Sequence, residues 1–150
     1  MEKSQLTESI RMALQFGYPC RENEERDKVK SLLSRLNSGE DPGGIKPEVE
    51  KLFPHIFKRE RDLYPNCDPW DKMEDYWMEG GHNNALENEG ELSGVQLDFC
   101  EVHKATIISH QNNLYNVEYE GKKQHVLDEL ISDLEIGDEV WIHRGFAVYK

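Results

Sequence analysis

The sequence predicts an α+β protein: an N-terminal helical domain over residues 1–82, a linker over 83–93, and a small OB- or SH3-like antiparallel β-barrel over 94–150. Three observations carry that expectation. Apolar residues recur at helical spacing through the first half, the period shortens to two from Gly94 onward, and the second half is cut into short runs by turn-forming pairs.

Leu6, Ile10 and Leu14 fall on one face of a first helix, and Val29, Leu32, Leu33 and Leu36 on one face of a second. The second helix should stop at Asn37-Ser38-Gly39-Glu40-Asp41-Pro42-Gly43-Gly44, a dense cluster of helix breakers. A third helix restarts with Pro47 in its first turn, where a missing N–H does no harm, and buries Val49, Leu52, Phe53 and Ile56, with Pro54 kinking or dividing it. Asp68-Pro69 caps and opens a short helix carrying Met73 and Trp77, which Gly80-Gly81 ends. Cys67 and His82 flank that helix, but neither has a second Cys or His at close ligand spacing. The polar stretch from Asn83 to Ser93 reads as the linker.

Beyond the linker, "VQLDFCEVHKATIIS" alternates over much of its length. "NLYNVEYEGKKQHV" makes two strands around Glu120-Gly121, and "DEVWIHRGFAVYK" two more around Arg144-Gly145. Leu127, Leu130 and Ile131 suit a short helical turn between the hairpins. The C-terminal run is apolar because it closes the barrel; a free tail would be polar.

The chain has 150 residues, 32% charged and 37% hydrophobic, a balance that fits a globular protein. No apolar run approaches the roughly 20 residues needed to cross a bilayer. The N-terminus lacks the basic start and apolar middle of a signal peptide, so the expected location is cytoplasmic, with no membrane partner. Net charge is −12, with 13 Lys and Arg against 19 Asp and Glu up to residue 90, and 5 against 11 after it. Acidity on both sides, without a basic stripe, excludes nucleic acid as the expected partner. Cys20, Cys67 and Cys100 are odd in number and form no CxxC pair, which favours reduced thiols over a disulfide framework. The ordinary role of any one of them is a small buried hydrophobe.

The ending "EIGDEVWIHRGFAVYK" carries Gly137, Asp138, Val140, His143, Gly145, Phe146 and Ala147 in the pattern GD…H.GFA, and Cys100 stands ahead of the hairpin "NVEYEGKKQHVLDELI". Over roughly residues 98 to 150 this resembles the hydrogenase maturation chaperones HypC, HybG and HupF. The resemblance implies a carrier that is not an enzyme. Cys100 and His143 would hold an iron fragment bearing cyanide and carbon monoxide, Fe(CN)2CO, received from a HypD-like scaffold protein and passed to a hydrogenase large-subunit precursor. It also implies partner contacts at Trp141, Gly145 and Phe146. The family's cysteine follows the initiator methionine, whereas Cys100 is internal, followed by Glu101-Val102-His103-Lys104 in place of apolar residues and Pro. Arg144 replaces a small or apolar residue.

The chemistry suits the residue types. A thiolate is a strong donor to low-spin iron, and a neighbouring imidazole can ligate or raise the thiolate fraction. Strict alternation puts Trp141, His143 and Gly145 on one side of their strand and Val140 and Ile142 on the other. His103 makes a Cys-x-x-His pair with Cys100, and in a strand the two point to opposite faces unless a bulge intervenes, so His103 is the weaker ligand. A cysteine nucleophile would need a third group to orient its base, and the sequence identifies none. The alternative function is a metal-free HypC-like interaction or regulatory module with a helical docking domain. Gly137-Asp138 also reads simply as a turn, and Phe146 and Val148 as barrel core.

Overall fold

The computed structural model describes residues 1–150. Helix α1, Lys3–Gly17, buries Ile10, Ala13, Leu14 and Phe16 and runs into a 3₁₀ turn, Tyr18–Cys20, that contains Pro19. Helix α2, Asn23–Asn37, buries Val29, Leu32 and Leu36, on the face its spacing predicts. Helix α3, Pro42–Leu52, begins five residues ahead of Pro47, so Gly43 and Gly44 are helical and Pro47 is interior. Pro42 takes the first-turn place expected for Pro47, and Pro47 forfeits one backbone bond of the helix. Pro54 divides the apolar run as expected: Phe53 leaves the helical region at φ −128°, and α4, Pro54–Leu63, starts afresh.

The Asp68 carboxylate accepts the Trp70 N–H at 3.0 Å and caps a 3₁₀ turn, Pro69–Lys72, that leads into α5, Met73–Met78. Gly80, at φ +91°, ends this unit in the left-handed region that favours glycine. Here the structure departs from the expected linker. Residues 81–89 form α6, Gly81–Glu89, which buries His82, Ala85 and Leu86. Gly94–Cys100 is a short helix, α7, where alternation suggested a strand. Alternation over six residues does not fix the period, and strand pairing with β4 starts only at Val102.

Five strands follow: β1 Val102–Gln111, β2 Leu114–Tyr119, β3 Lys122–Leu127, β4 Glu139–His143 and β5 Phe146–Tyr149. They close a barrel in the order β1-β2-β3-β5-β4, antiparallel except for the β3–β5 contact, an arrangement of the OB rather than the SH3 kind. Both expected hairpins form, and their central residues have positive φ: Glu120 and Gly121 at 50° and 75°, Arg144 and Gly145 at 51° and 86°. The helical turn expected around Leu127, Leu130 and Ile131 is absent. Residues 128–138 run as an irregular strap whose backbone bonds go to β1, with Gly137 N–H donating to Ile107 at 2.8 Å, while Leu134 is buried.

The barrel wall is buried on both sides along β5 and at the start of β1. Ala105, Ile107, Tyr115, Val117, Val140, Ile142 and Ala147 fill the barrel. Val102, Phe146 and Val148 face the other way and join the core of the helical part. This explains the apolar C-terminus: in β5 Ala147 packs inward while its two neighbours pack against helices, so every position from Phe146 to Val148 is covered. Fully burying one large apolar side chain stabilises by about 1.5–3 kcal/mol.

Candidate functional site

The seam between barrel and helices holds the candidate site. His143, the last residue of β4, is on the outer side with Trp141, as alternation predicts, and is 1% exposed. Its Nδ1–H donates to the Phe16 carbonyl at 2.7 Å, at the C-terminal end of α1. A carbonyl can only accept, so the proton sits on Nδ1 and the Nε2 lone pair is free; Nε2 is buried and has no hydrogen-bond partner. Phe16 itself is held by rings: it stacks on Trp77 at 5.2 Å and on Tyr149 at 5.5 Å, and meets Trp141 edge-on at 6.2 Å. The orienting carbonyl is therefore fixed by packing from both halves of the chain.

His143 lines a cavity of about 290 Å³ together with Cys20, His55, His82, Cys100 and Arg144, among others. Cys20 ends the 3₁₀ turn after α1. Burial raises its thiol pKa, but the nearness of His143, His55 and Arg144 outweighs burial, and the thiol lies well below its ordinary range. Arg21 Nη2 donates to His55 Nδ1 at 3.5 Å, which leaves the His55 proton on Nε2.

His82 is 3% exposed, stacks on Trp77 at 5.0 Å and meets the His143 ring at 4.9 Å between centroids. Burial, then the nearness of His143, hold its pKa well below the usual histidine value, so it is neutral. The Asn83 side-chain oxygen accepts the Val102 backbone N–H at 2.8 Å, which identifies that atom as the acceptor. The same oxygen lies 3.1 Å from His82 Nδ1, so Nδ1 donates and the His82 Nε2 lone pair is free.

The residues expected from the sequence divide between two places. Cys100 and His143 line the same cavity, because β1 and β4 pair Val102 with His143 and the Arg144 N–H donates to the Phe99 carbonyl at 3.2 Å. His103 lies elsewhere. It pairs with Ile142, stacks on Tyr119 at 4.3 Å and donates from Nε2 to the Asp98 carbonyl at 2.8 Å, in a separate cleft with Glu101 and Lys122. Trp141 and Phe146 are packed against this chain's own Phe16 and Tyr18, and Gly145 lies 3.5 Å from the Phe99 ring. Cys67 is exposed and does not line His82's cavity.

Sequence reading missed Cys20, His55 and His82 as members of the site. They stand 35 and 27 residues apart along the chain, so no local spacing marks them. The sequence singles out His82 only together with Cys67 across a short helix, and Cys67 does not line this cavity. No protein-family model matches this chain, and neither a curated protein nor a solved structure matches it.

Proposed function

We propose that the protein is a maturation-factor-like carrier of the HypC kind. It is not an enzyme; its cargo is a cyanide- and carbonyl-bearing iron fragment taken from a HypD-like scaffold and delivered to a hydrogenase large-subunit precursor in the cytoplasm. The observation that carries this reading is the pairing of Val102 with His143, which sets the segment ending in Cys100 beside the imidazole at one cavity. The donor set suits the cargo: thiolate sulfur and neutral imidazole nitrogen are both good ligands for low-spin iron. Arg144 lines the same cavity and forms no ion pair, so its guanidinium is free to donate to cyanide nitrogens. The internal position of Cys100 removes the free α-amine of the family pattern, and Arg144 supplies a positive charge in the same cavity. Val95 and Phe99, one helical turn apart on α7, are exposed on the helix that carries Cys100 and give a partner apolar surface.

The test is anaerobic co-expression with a HypD-like scaffold and a hydrogenase precursor, followed by infrared spectroscopy of the purified protein. The expected result is cyanide and carbonyl stretching bands that disappear in Cys100→Ala and His143→Gln. Absence of the bands from folded wild-type protein, with the scaffold active, rejects the cargo and favours a metal-free docking module.

A further inference from the structure

We infer that Cys20, His82 and His143 form a binding site for a divalent transition metal of the borderline class, such as zinc(II), cobalt(II) or iron(II), built across the seam between helices and barrel. This goes beyond the carrier reading, since two of its three ligands lie outside the segment on which that reading rests, and it stands or falls separately.

The tautomers carry the inference. Metal-binding histidines almost always give the N–H of the non-ligating nitrogen to a carbonyl or carboxylate, which fixes the ring and leaves the other lone pair for the ion. Both buried histidines here have that arrangement: His143 Nδ1–H on the Phe16 carbonyl at 2.7 Å, and His82 Nδ1–H on the Asn83 side-chain oxygen at 3.1 Å. Asn83 is in turn fixed by two bonds to the Val102 backbone, at 2.8 and 2.9 Å. Both Nε2 atoms are left without a protein partner, and for His143 that atom is fully buried. Leaving a buried nitrogen unpartnered costs about 1–3 kcal/mol, which a bound ion would recover.

The thiol completes the set. Cys20 lines the same cavity as both imidazoles, and a sulfur with two imidazole nitrogens suits zinc, iron or cobalt rather than calcium or magnesium. The three donor atoms do not all lie within 4.8 Å of one another. Cys20 stands at the exit of a 3₁₀ turn rather than inside a helix, and its sulfur position is set by the single χ1 torsion. Three protein ligands leave a fourth position open toward the cavity, where Cys100 and Arg144 are found.

The other metal-like cluster, Asp98, Glu101 and His103, has its groups already engaged. Asp98 accepts from the Tyr119 hydroxyl at 2.6 Å and from Lys122 at 3.0 Å, and His103 donates to a backbone carbonyl.

The test is cobalt titration of the purified full-length protein, read by absorption. Wild type should show the visible bands of tetrahedral cobalt and a thiolate-to-cobalt charge-transfer band in the near ultraviolet. Cys20→Ser should lose the charge-transfer band, His82→Gln and His143→Gln should weaken binding by about 100-fold, and Cys67→Ser, at an exposed thiol outside the cavity, should leave the spectrum unchanged. A readout in the wild-type protein needs no variant to fold: zinc should protect Cys20 from iodoacetamide, mapped by mass spectrometry, while exposed Cys67 reacts at the same rate. A charge-transfer band that survives Cys20→Ser, or Cys20 alkylated equally fast with and without zinc, overturns the inference. Cyanide and carbonyl bands that depend on Cys100, without any cobalt signal, would sink this site and leave the carrier reading intact; a cobalt signal with infrared silence would do the reverse.

Discussion

Glu60 is a buried carboxyl group whose proton is coupled to stability. It is 0% exposed, and both carboxylate oxygens lack a partner. Burial, helped by the negative charge of Asp68 and opposed by Arg61, pushes its pKa up to about 8 from an ordinary 4.5. Between those two values the folded chain holds a proton that the unfolded chain has released, so stability is fullest below about pH 4.5 and falls as pH rises through about 8. The loss is on the order of 4 kcal/mol. Glu60→Gln should remove that slope and be the more stable protein on the alkaline side. Urea midpoints across this window check it, and an equal decline in the variant would show that another group is responsible. At the same scale, the proton positions that define the pocket have no counterpart in residue types or spacing. His143 could be singled out by its place in a motif, but the free lone pair on Nε2 follows from a carbonyl 127 residues away.

At the scale of elements, turn chemistry was the most legible feature and also shows where the sequence is not optimal. Asp68-Pro69, Gly80-Gly81 and both hairpin pairs act where their residue types predict. The first hairpin nevertheless places Glu120 at φ +50°, a conformation that costs a non-glycine residue about 1–2 kcal/mol and is borne best by Asn or Gly. Glu120→Asn, at an exposed turn, should raise stability by about 0.5–1 kcal/mol, seen as a higher melting temperature with unchanged far-ultraviolet circular dichroism. A lower melting temperature would mean that the Glu120 side chain contributes more than its backbone strain costs. The errors at this scale have a common origin. Asn83 to Glu89 is polar because most of α6 faces solvent, and only His82, Ala85 and Leu86 are buried; a short helix with so narrow an apolar face looks like a linker. The "VQLDFC" segment alternates, yet it has no strand partner, and a strand without a ladder does not form.

At the scale of the whole molecule, the helical part and the barrel share a core. The core of the helical part takes in Val102, Phe146 and Val148 from the barrel, and hydrogen bonds cross the seam from Gln15 to the Val148 carbonyl at 2.7 Å and from Tyr18 to Glu129 at 2.7 Å. Thermal unfolding should therefore be a single transition, coincident by tryptophan fluorescence, which reports Trp70, Trp77 and Trp141, and by circular dichroism. Two separated transitions would mean that the barrel holds without the helices. The sequence by itself determined that helices precede strands, where most helical faces lie, where the hairpins turn and which side of β4 His143 takes, because each of these follows from periodicity or from the backbone freedom of two or three adjacent residues. Only the tertiary structure decided that the barrel's outer face is a second buried interface, and that Cys20 and His82 meet His143 there. Those contacts join residues more than 60 positions apart, and packing between layers, which has no period along the chain, is what brings them together.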